Sequence, residues 1–390
     1  MLLQQLSLYN FRNYGQLELA CHPQSNLLIG ENGQGKSNLI EAIWYLGRAA
    51  SYRGSPDEQL IRWGEEGFRI QGEIASGEWR RSIETRYFTG HRKEVRVGGE
   101  KAASLRKLPG LFPVVLFSPE DLELVKGAPA RRRQYLDETL SLLFPLYLEN
   151  LVRYRRAVTQ RNSLLRLRRP PNRETETEIG LWEQLLSQHG ARLLAFRLLL
   201  LSRLADSLRR FHRLMSGSTG LEIIYRSALP NLRLESFASL PAGAAIEYNM
   251  SQAAMEIEPW LQAGLHRQRP FDQSRGATSV GPHRDELLLR WQGKEVRAYS
   301  SQGQQRAIAL AMRLTQLELL DQGLQEKPVL LLDDVFSELD DRRRKNLLTI
   351  LSGERQVFIT ATGREQLPGI AGEGACWQVS KGKLTPVRQY

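Results

Sequence analysis

Apolar and polar residues alternate along the start of the chain. Residues 2–8 and 16–20 step with a period of two, and Leu27-Leu28-Ile29 is a short continuous apolar run. These patterns predict strands, the last of them buried on both faces. Alternation returns at Phe68 and Ile70 and runs through 79–97, with Thr89-Gly90 and Gly98-Gly99 as turns. That predicts an antiparallel sheet beside the first strands. Near residue 120 the period changes. Residues 131–168 have helical spacing, with a break expected at Pro145, and Pro170-Pro171 with the polar stretch to Glu178 predicts a turn. Beyond it Ile179, Trp182, Leu186, His189, Leu193, Phe196, Leu200, Leu204, Leu208 and Phe211 step by three and four, the stripe of one long buried helix face. At about 1.5 Å per residue this helix spans roughly 50 Å, and two long helices joined by a short turn predict a helical hairpin. His189 sits on the stripe and is expected to be a packed core residue rather than a metal ligand.

After Gly220 the pattern is illegible to about residue 275. Strand character then returns at 286–299 around a Gln292-Gly293 turn. A helix is predicted over 300–320, a buried strand at 329–332 and another strand at 356–360.

Composition narrows the class. The 390 residues are 41% hydrophobic and 25% charged, which suits a globular protein with a sizeable core. Lys and Arg total 54 against 43 Asp and Glu, and the net charge of +11 favours a polyanionic partner, nucleic acid before membrane surface. Cys21 and Cys376 lack metal-ligand spacing and predict a reducing compartment without disulfides. No signal-peptide pattern opens the sequence, and the greasiest stretch, 193–204, is interrupted by Arg197 and Arg203. A soluble cytoplasmic protein without a membrane partner is expected.

The chemistry begins at residues 30–37. Gly30-Glu31-Asn32-Gly33-Gln34-Gly35-Lys36-Ser37 follows the apolar strand and precedes a helical stretch, the context a phosphate-binding loop requires. Glycines let backbone N–H groups curl round phosphate, and the helix N-terminus adds partial positive charge. Lys36 is expected on the outer phosphates and the Ser37 hydroxyl on Mg²⁺, so the chain is expected to bind a nucleoside triphosphate. Residues 329–334 form an apolar strand ending in Asp333-Asp334. A buried parallel strand delivers its last side chains to the carboxyl edge, where Asp333 is expected to hold Mg²⁺ and Asp334 to orient or deprotonate the attacking water. Ser301-Gln302-Gly303-Gln304-Gln305-Arg306 opens the helix predicted over 300–320, and Ser301 stands at an N-terminal anion site.

The stretch at 301–306 resembles the S-G-G-Q signature of ABC-type ATPases, and residues 333–340 resemble their Walker B and D-loop. Asn10-Phe11-Arg12-Asn13-Tyr14 is similar to the branch that contains the SMC proteins. Within it, residues 30–41, 117–122, 127–137, 281–285, 301–306 and 330–340 resemble the RecF family of bacterial recombination mediators, in order and over nearly the whole chain. The resemblance implies an α/β fold: an SMC-head-like ABC ATPase lobe from residues 1–120 and 275–390, with a mainly helical lobe, 121–274, inserted. It implies an ATP site on Gly30, Glu31, Asn32, Gly33, Gln34, Gly35, Lys36, Ser37, Asn38 and Arg12, with Lys36 and Asp334 catalytic and Ser37 and Asp333 on Mg²⁺. Ser301, Gly303 and Gln304 would complete the partner's site in an ATP-dependent homodimer. The family's activity would be weak, DNA-stimulated ATP hydrolysis that helps load recombinase at single-strand gaps and junctions, with RecO- and RecR-like partners. Two departures stand out. Asp334 replaces the wider family's Glu, and residues 356–362 hold no switch histidine.

Seven arginines and no acidic residue lie between Arg153 and Arg169, and Arg131-Arg132-Arg133 lies just upstream. Arg131, Arg132, Arg133, Arg153, Arg155 and Arg156 are the expected sequence-independent DNA contacts, since guanidinium forks bind phosphate bidentately. A solvated or intramolecularly paired basic face is the alternative for these residues. For His283, in the 281–285 motif, both a place near nucleotide and a turn-holding role stay open. A transporter motor, a DNA-bound scaffold with negligible hydrolysis and an SMC-like or ABC ATPase with another DNA role are the competing functions.

Overall fold

The computed structural model describes residues 1–167, 173–229, 246–351, 355–363 and 374–387, with the side chains of 246–249 and 338 excepted. The chain divides into two compact units, Met1–Asp121 with Leu320–Tyr390, and Leu122–Leu319. Residues 275–319, expected with the ATPase lobe, therefore cluster with the second unit. No described helix is long and apolar enough to cross a membrane.

The first unit holds two sheets with one helix between them. One sheet runs, in order across it, Tyr14–Ala20, Leu2–Phe11, Gly67–Ser76, Trp79–Phe88, Glu94–Val97 and Glu100–Lys101, all antiparallel neighbours. The alternation seen in the sequence sets its register. Phe68 lies opposite Tyr87 and Ile70 opposite Thr85, so the apolar members share the inner face. The other sheet runs Lys383–Pro386, Gly374–Ser380, Ser25–Ile29, Val357–Ala361, Val329–Leu332 and Val114–Phe117. All but the first of these pair in parallel. Their near-continuous apolar composition is what burial on both faces requires.

Helix Lys36–Arg48 leaves the end of Ser25–Ile29, and every residue from Leu39 to Gly47 is buried. Its close approach to the antiparallel sheet depends on Gly72, where a Cβ would stand 2.5 Å from Leu46 Cδ1.

The second unit is built on Pro129–Leu143, Pro145–Leu165, Arg173–Ser216 and Ile246–Arg275. Phe144 separates the first two in an extended conformation with Pro145 at the first helical position, as the sequence predicts. Arg173–Ser216 has 44 residues, about 66 Å. It pairs with Pro145–Leu165 as a hairpin: Arg161 meets Glu183, Asn150 meets His189, and Tyr147 meets Phe196. His189 is buried with its Nδ1 2.9 Å from Asn150 Oδ1, a core histidine. The Pro170-Pro171 turn lies outside the described residues.

Two elements in the illegible region emerge. Strand Leu221–Arg226 pairs with Glu286–Trp291, and helix Ile246–Arg275 carries Pro259 and Pro270 inside it. Prolines remove backbone donors and argue against a helix, so local reading fails there while tertiary packing decides.

Buried ions fasten the helices together. Arg161, fully buried, bonds Glu183 at 2.8 Å and Asp272 at 2.7 Å, and so ties helices Pro145–Leu165, Arg173–Ser216 and Ile246–Arg275 to one another. Arg269 adds a second cation to Glu183. Removing one partner of such a pair strands the other charge in a medium that cannot solvate it. Arg161→Met is therefore expected to destabilise the second unit by about 3–5 kcal/mol, read as a lowered urea midpoint, because Asp272 is left without its cation. A change below about 1 kcal/mol would show that Asp272 is not left as an unsolvated buried charge.

Candidate nucleotide and metal site

The phosphate loop opens where Ser25–Ile29 ends, and Gly30 N–H donates to the Ala361 carbonyl of the adjacent parallel strand. Asn13 Nδ2 donates to Gln34 O at 2.9 Å, the buried Tyr14 hydroxyl donates to Gly35 O at 2.9 Å, and Asn38 Nδ2 returns to Asn13 Oδ1 at 2.9 Å. From the other side, Lys381 N–H and Gly382 N–H donate to Gln34. Gly35 has φ +114°, and a Cβ there would fall 2.5 Å from Asn13 Nδ2, so only glycine fits under this strap. The Asn13-Tyr14 dipeptide thus has a mechanical meaning, to hold the loop's curl.

Lys36 is buried and donates to the carbonyls of Gly30 at 2.5 Å and Glu31 at 2.8 Å. Burial lowers its pKa, and the charges of Asp334 and Asp333 oppose that shift. Glu31, Asn32 and Gly33 are exposed, while Gln34, Ser37 and Asn38 are half-buried.

Asp333, at the carboxyl end of Val329–Leu332, is 3% exposed. Its Oδ1 accepts from Ser37 Oγ at 2.7 Å and Thr360 Oγ1 at 3.0 Å, and its Oδ2 accepts from Tyr52 OH at 2.7 Å. Sequence reading missed Tyr52 and Thr360. Tyr52 stands 281 residues from Asp333 and Thr360 27, and only the fold sets their hydroxyls against that carboxylate. Thr360 also accepts the backbone N–H of Asp334 at 2.8 Å. Asp334 has φ +53°, a left-handed conformation that aspartate tolerates better than most residues.

A hydroxyl and a carboxylate oxygen 2.7 Å apart are hard donors and fit Mg²⁺, which keeps waters and phosphate oxygens in the rest of its shell. Among the described residues no group of three His, Cys, Asp or Glu forms a metal cage.

Arg12 departs from expectation. Its guanidinium bonds both oxygens of Glu41 at 2.9 and 3.1 Å, Ser55 Oγ at 3.0 Å and the Gln59 carbonyl at 3.0 Å. Arg12 braces the loop's helix and is not a free phosphate ligand.

Ser301, Gly303 and Gln304 belong to the second unit. Ser301 N–H donates to Gln304 Oε1 and Gln304 N–H to Ser301 Oγ, a reciprocal cap at the start of helix Gln302–Gly323. Ser301 and Gly303 are exposed.

The arginines divide by burial. Arg132 is 5% exposed, pairs with Glu286 at 2.6 Å and donates to the carbonyls of Leu124, Val125 and Gly127. It cannot serve as a DNA contact without breaking that network, which corrects the expectation. Arg133 donates to the Asp285 carbonyl at 2.8 Å, and Arg155 pairs with Asp137 at 2.9 Å. Arg131, Arg153 and Arg156 are exposed, and Arg168 and Arg169 lie outside the described residues.

The 281–285 motif also finds its place. Arg197, 2% exposed, donates to the Pro282 carbonyl at 2.7 Å and to Asp137 Oδ1 at 2.8 Å. Asp285 accepts from Tyr225 OH at 2.5 Å and Ala228 N–H at 2.7 Å. His283 Nδ1 meets Tyr154 OH at 2.6 Å and its Nε2 faces the Thr278 carbonyl at 3.1 Å. Burial pushes its pKa down to about 4, so the ring is neutral at pH 7, accepts from Tyr154 and donates to Thr278. Of the two roles left open for His283, this geometry is the turn-holding one.

The first unit thus presents a phosphate loop and a metal-type carboxylate at the edge of a parallel sheet. A family model described as the RecF/RecN/SMC N terminal domain matches residues 2–373. The chain belongs to that family. Within it, the chain is 37% identical over 363 residues to the DNA replication and repair protein RecF of Bacillus cereus (strain G9842), across 93% of this chain and 92% of the relative. The RecF of Bacillus thuringiensis (strain Al Hakam) matches at the same identity and coverage. A solved structure of the recombination mediator protein RecF with ATP, in the RecFOR pathway, superposes with TM-score 0.85 at 34% identity over 99% of both chains. An Smc head bound to the C-winged helix domain of ScpA matches with TM-score 0.55 at 16% identity over 99% of this chain and 97% of that one, a likeness of fold alone. The chain is a member of the RecF family.

Lys36→Ala removes the cation that the loop now holds against its own carbonyls. ATP affinity, measured by equilibrium dialysis, is expected to fall at least tenfold, and a value within twofold of the original chain would disprove the loop's role.

Proposed function

We propose that this chain is an ATP-gated DNA clamp that aids recombinase loading at single-strand gaps and junctions. The observation that carries the reading is the single hydrogen-bonded cluster of Ser37, Asp333 and Thr360 beside Lys36, at the carboxyl edge of the parallel sheet. The names of its relatives support it: one is a DNA replication and repair protein, another a mediator solved with ATP in the RecFOR pathway. RecO- and RecR-like proteins are the proposed partners, and the cytoplasmic nucleoid the proposed place of action.

On this reading the loop's curl wraps the nucleotide's phosphates, and Lys36 exchanges the carbonyls of Gly30 and Glu31 for phosphate oxygens. Ser37 and Asp333 would hold Mg²⁺, whose charge would offset that on the transferring phosphoryl group. Asp334 orients the attacking water. An aspartate reaches one methylene less far than a glutamate, so turnover is slow and the ATP state long-lived. Ser301, exposed at its capped helix start, faces the γ-phosphate held by a second copy. ATP then joins two chains, and hydrolysis removes the bridging group and releases them.

The trans arrangement has a direct test. Ser301→Arg places a bulky cation at the signature, while Lys36→Ala empties the loop. In a mixed dimer both losses fall on one composite site and leave the other complete. Partial ATPase activity is expected in the mixture and none in either variant alone. Full activity of Ser301→Arg by itself would overturn the arrangement.

Arg153 and Arg156 lie one turn apart on an exposed helix face, and neither has an ion pair among the described residues. Arg155 is left out because its reversal would disturb Asp137. The double change Arg153→Glu, Arg156→Glu is expected to weaken DNA binding alike for all sequences, with the salt slope reduced by about two, and to leave ATP affinity unchanged. Unaltered DNA affinity in a fluorescence-anisotropy titration would move the contact surface elsewhere.

A further inference from the structure

The loop that follows helix Lys36–Arg48 is tied down at several points. Ser51 Oγ donates to Glu41, Ser55 Oγ accepts from Arg12, and Arg53 reaches Asn38 Oδ1 at 3.2 Å. Between these ties stands Tyr52. Its ring meets Trp44 edge to face, with centroids 6.4 Å apart at 77°, and the Arg53 guanidinium lies 5.2 Å from its centroid. The hydroxyl is therefore delivered to Asp333 Oδ2 by a ring with little freedom, at 2.7 Å.

Asp333 has two oxygens and about four acceptor positions. Ser37 and Thr360 take two on Oδ1, and Tyr52 takes one on Oδ2. One position on Oδ2 stays available to a metal ion or to a water of its shell. Without the tyrosine, Oδ2 would have no neutral donor among its hydrogen bonds, and the nearest cation, Arg53, is 3.9 Å away. A carboxylate held at one oxygen only can swing, and a swinging ligand binds metal less tightly.

We propose that Tyr52 is a positioning residue for the metal site, fixing the Asp333 carboxylate in the orientation that receives the divalent cation of the nucleotide complex. The proposal rests on the reading of Asp333 as the metal carboxylate. Tyr52 touches neither nucleotide nor metal in this role. It acts through Asp333, and its effect falls on metal affinity rather than on ATP affinity without metal.

The full-length chain is titrated with ATP in EDTA and again with Mn²⁺, and the ratio of the two affinities measures what the metal adds. The Mn²⁺ electron paramagnetic resonance spectrum reports the bound ion. Tyr52→Phe keeps the ring against Trp44 and removes only the donor. It is expected to lower the ratio about tenfold or more, with ATP affinity in EDTA within twofold of the original chain. Asp333→Asn should lower the ratio as well, and adding Tyr52→Phe to it should change little further, because the tyrosine acts through that carboxylate. An unchanged ratio in Tyr52→Phe overturns the proposal. A raised ratio also overturns it and makes the tyrosine a competitor of the metal. Equal losses with and without metal overturn it too, and make Tyr52 part of the pocket's general packing. If Asp333→Asn leaves the ratio intact, the underlying assignment of Asp333 fails, which separates that failure from one confined to Tyr52.

Discussion

One buried charge organises the nucleotide unit. Helix Lys36–Arg48 lies between two sheets, so its carboxylate Glu41, at 0% exposure, has no water to solvate it. A carboxylate in that position persists only if it is paired and fully hydrogen-bonded. Arg12 answers it bidentately from the Leu2–Phe11 to Tyr14–Ala20 turn, where a φ of +54° aims the side chain inward. Ser51 and Arg53 answer from the loop after the helix. Solvating one carboxylate therefore fixes two loops. The first carries Asn13 and Tyr14, which strap the phosphate loop, and the second carries Tyr52, which holds Asp333. Geometry at the phosphate end of the site is inherited from an ion pair that the proposed mechanism never touches.

The second unit uses the same device in a different setting. Arg161 and Arg197 are long cations inside a helical core, each surrounded by acidic or phenolic oxygens. Apolar side chains of the same volume are often at least as stabilising as a buried ion pair, so stability alone is a weak reason for them. What they add is direction. An Arg161 that bonds both Glu183 and Asp272 admits one register among three helices, whereas leucine packing tolerates sliding. A fixed register keeps Arg153 and Arg156 on one exposed face of the hairpin, and on the proposed reading that face meets DNA.

Much of this was legible in the chain, and the limits have physical causes. Phosphate loop, strand alternation and the long apolar stripe are local patterns, each enforced by a repeat of two or of three to four residues. Helix Ile246–Arg275 was not legible, because Pro259 and Pro270 oppose it locally and packing overrides them. The basic stretch was legible as charge and not as burial. Among neighbouring arginines Arg153 is exposed and Arg161 fully buried, and only the partners that folding brings near decide which. Tyr52 and Thr360 were silent for the same reason, since their importance lies in one oxygen each, set against a carboxylate 281 and 27 residues away.

On the proposed reading, Asp334 and Thr360 mark where this edge departs from a fast hydrolase. Thr360 bridges the two carboxylate positions, accepting the Asp334 N–H and donating to Asp333. A threonine hydroxyl bonds well but titrates nowhere near pH 7, so it can hold geometry and cannot shuttle a proton as a histidine would. On that reading, the short carboxylate at 334 and a strand Val357–Ala361 without histidine would favour holding Mg²⁺-ATP over cleaving it. For a clamp that is the useful bias. A ligand shifts an equilibrium only by its differential affinity for the two states, and it keeps the shift only as long as it survives. On the proposed reading, ATP that bridges two chains and is hydrolysed slowly would leave time for a partner to be loaded on the enclosed DNA before the bridge is cut.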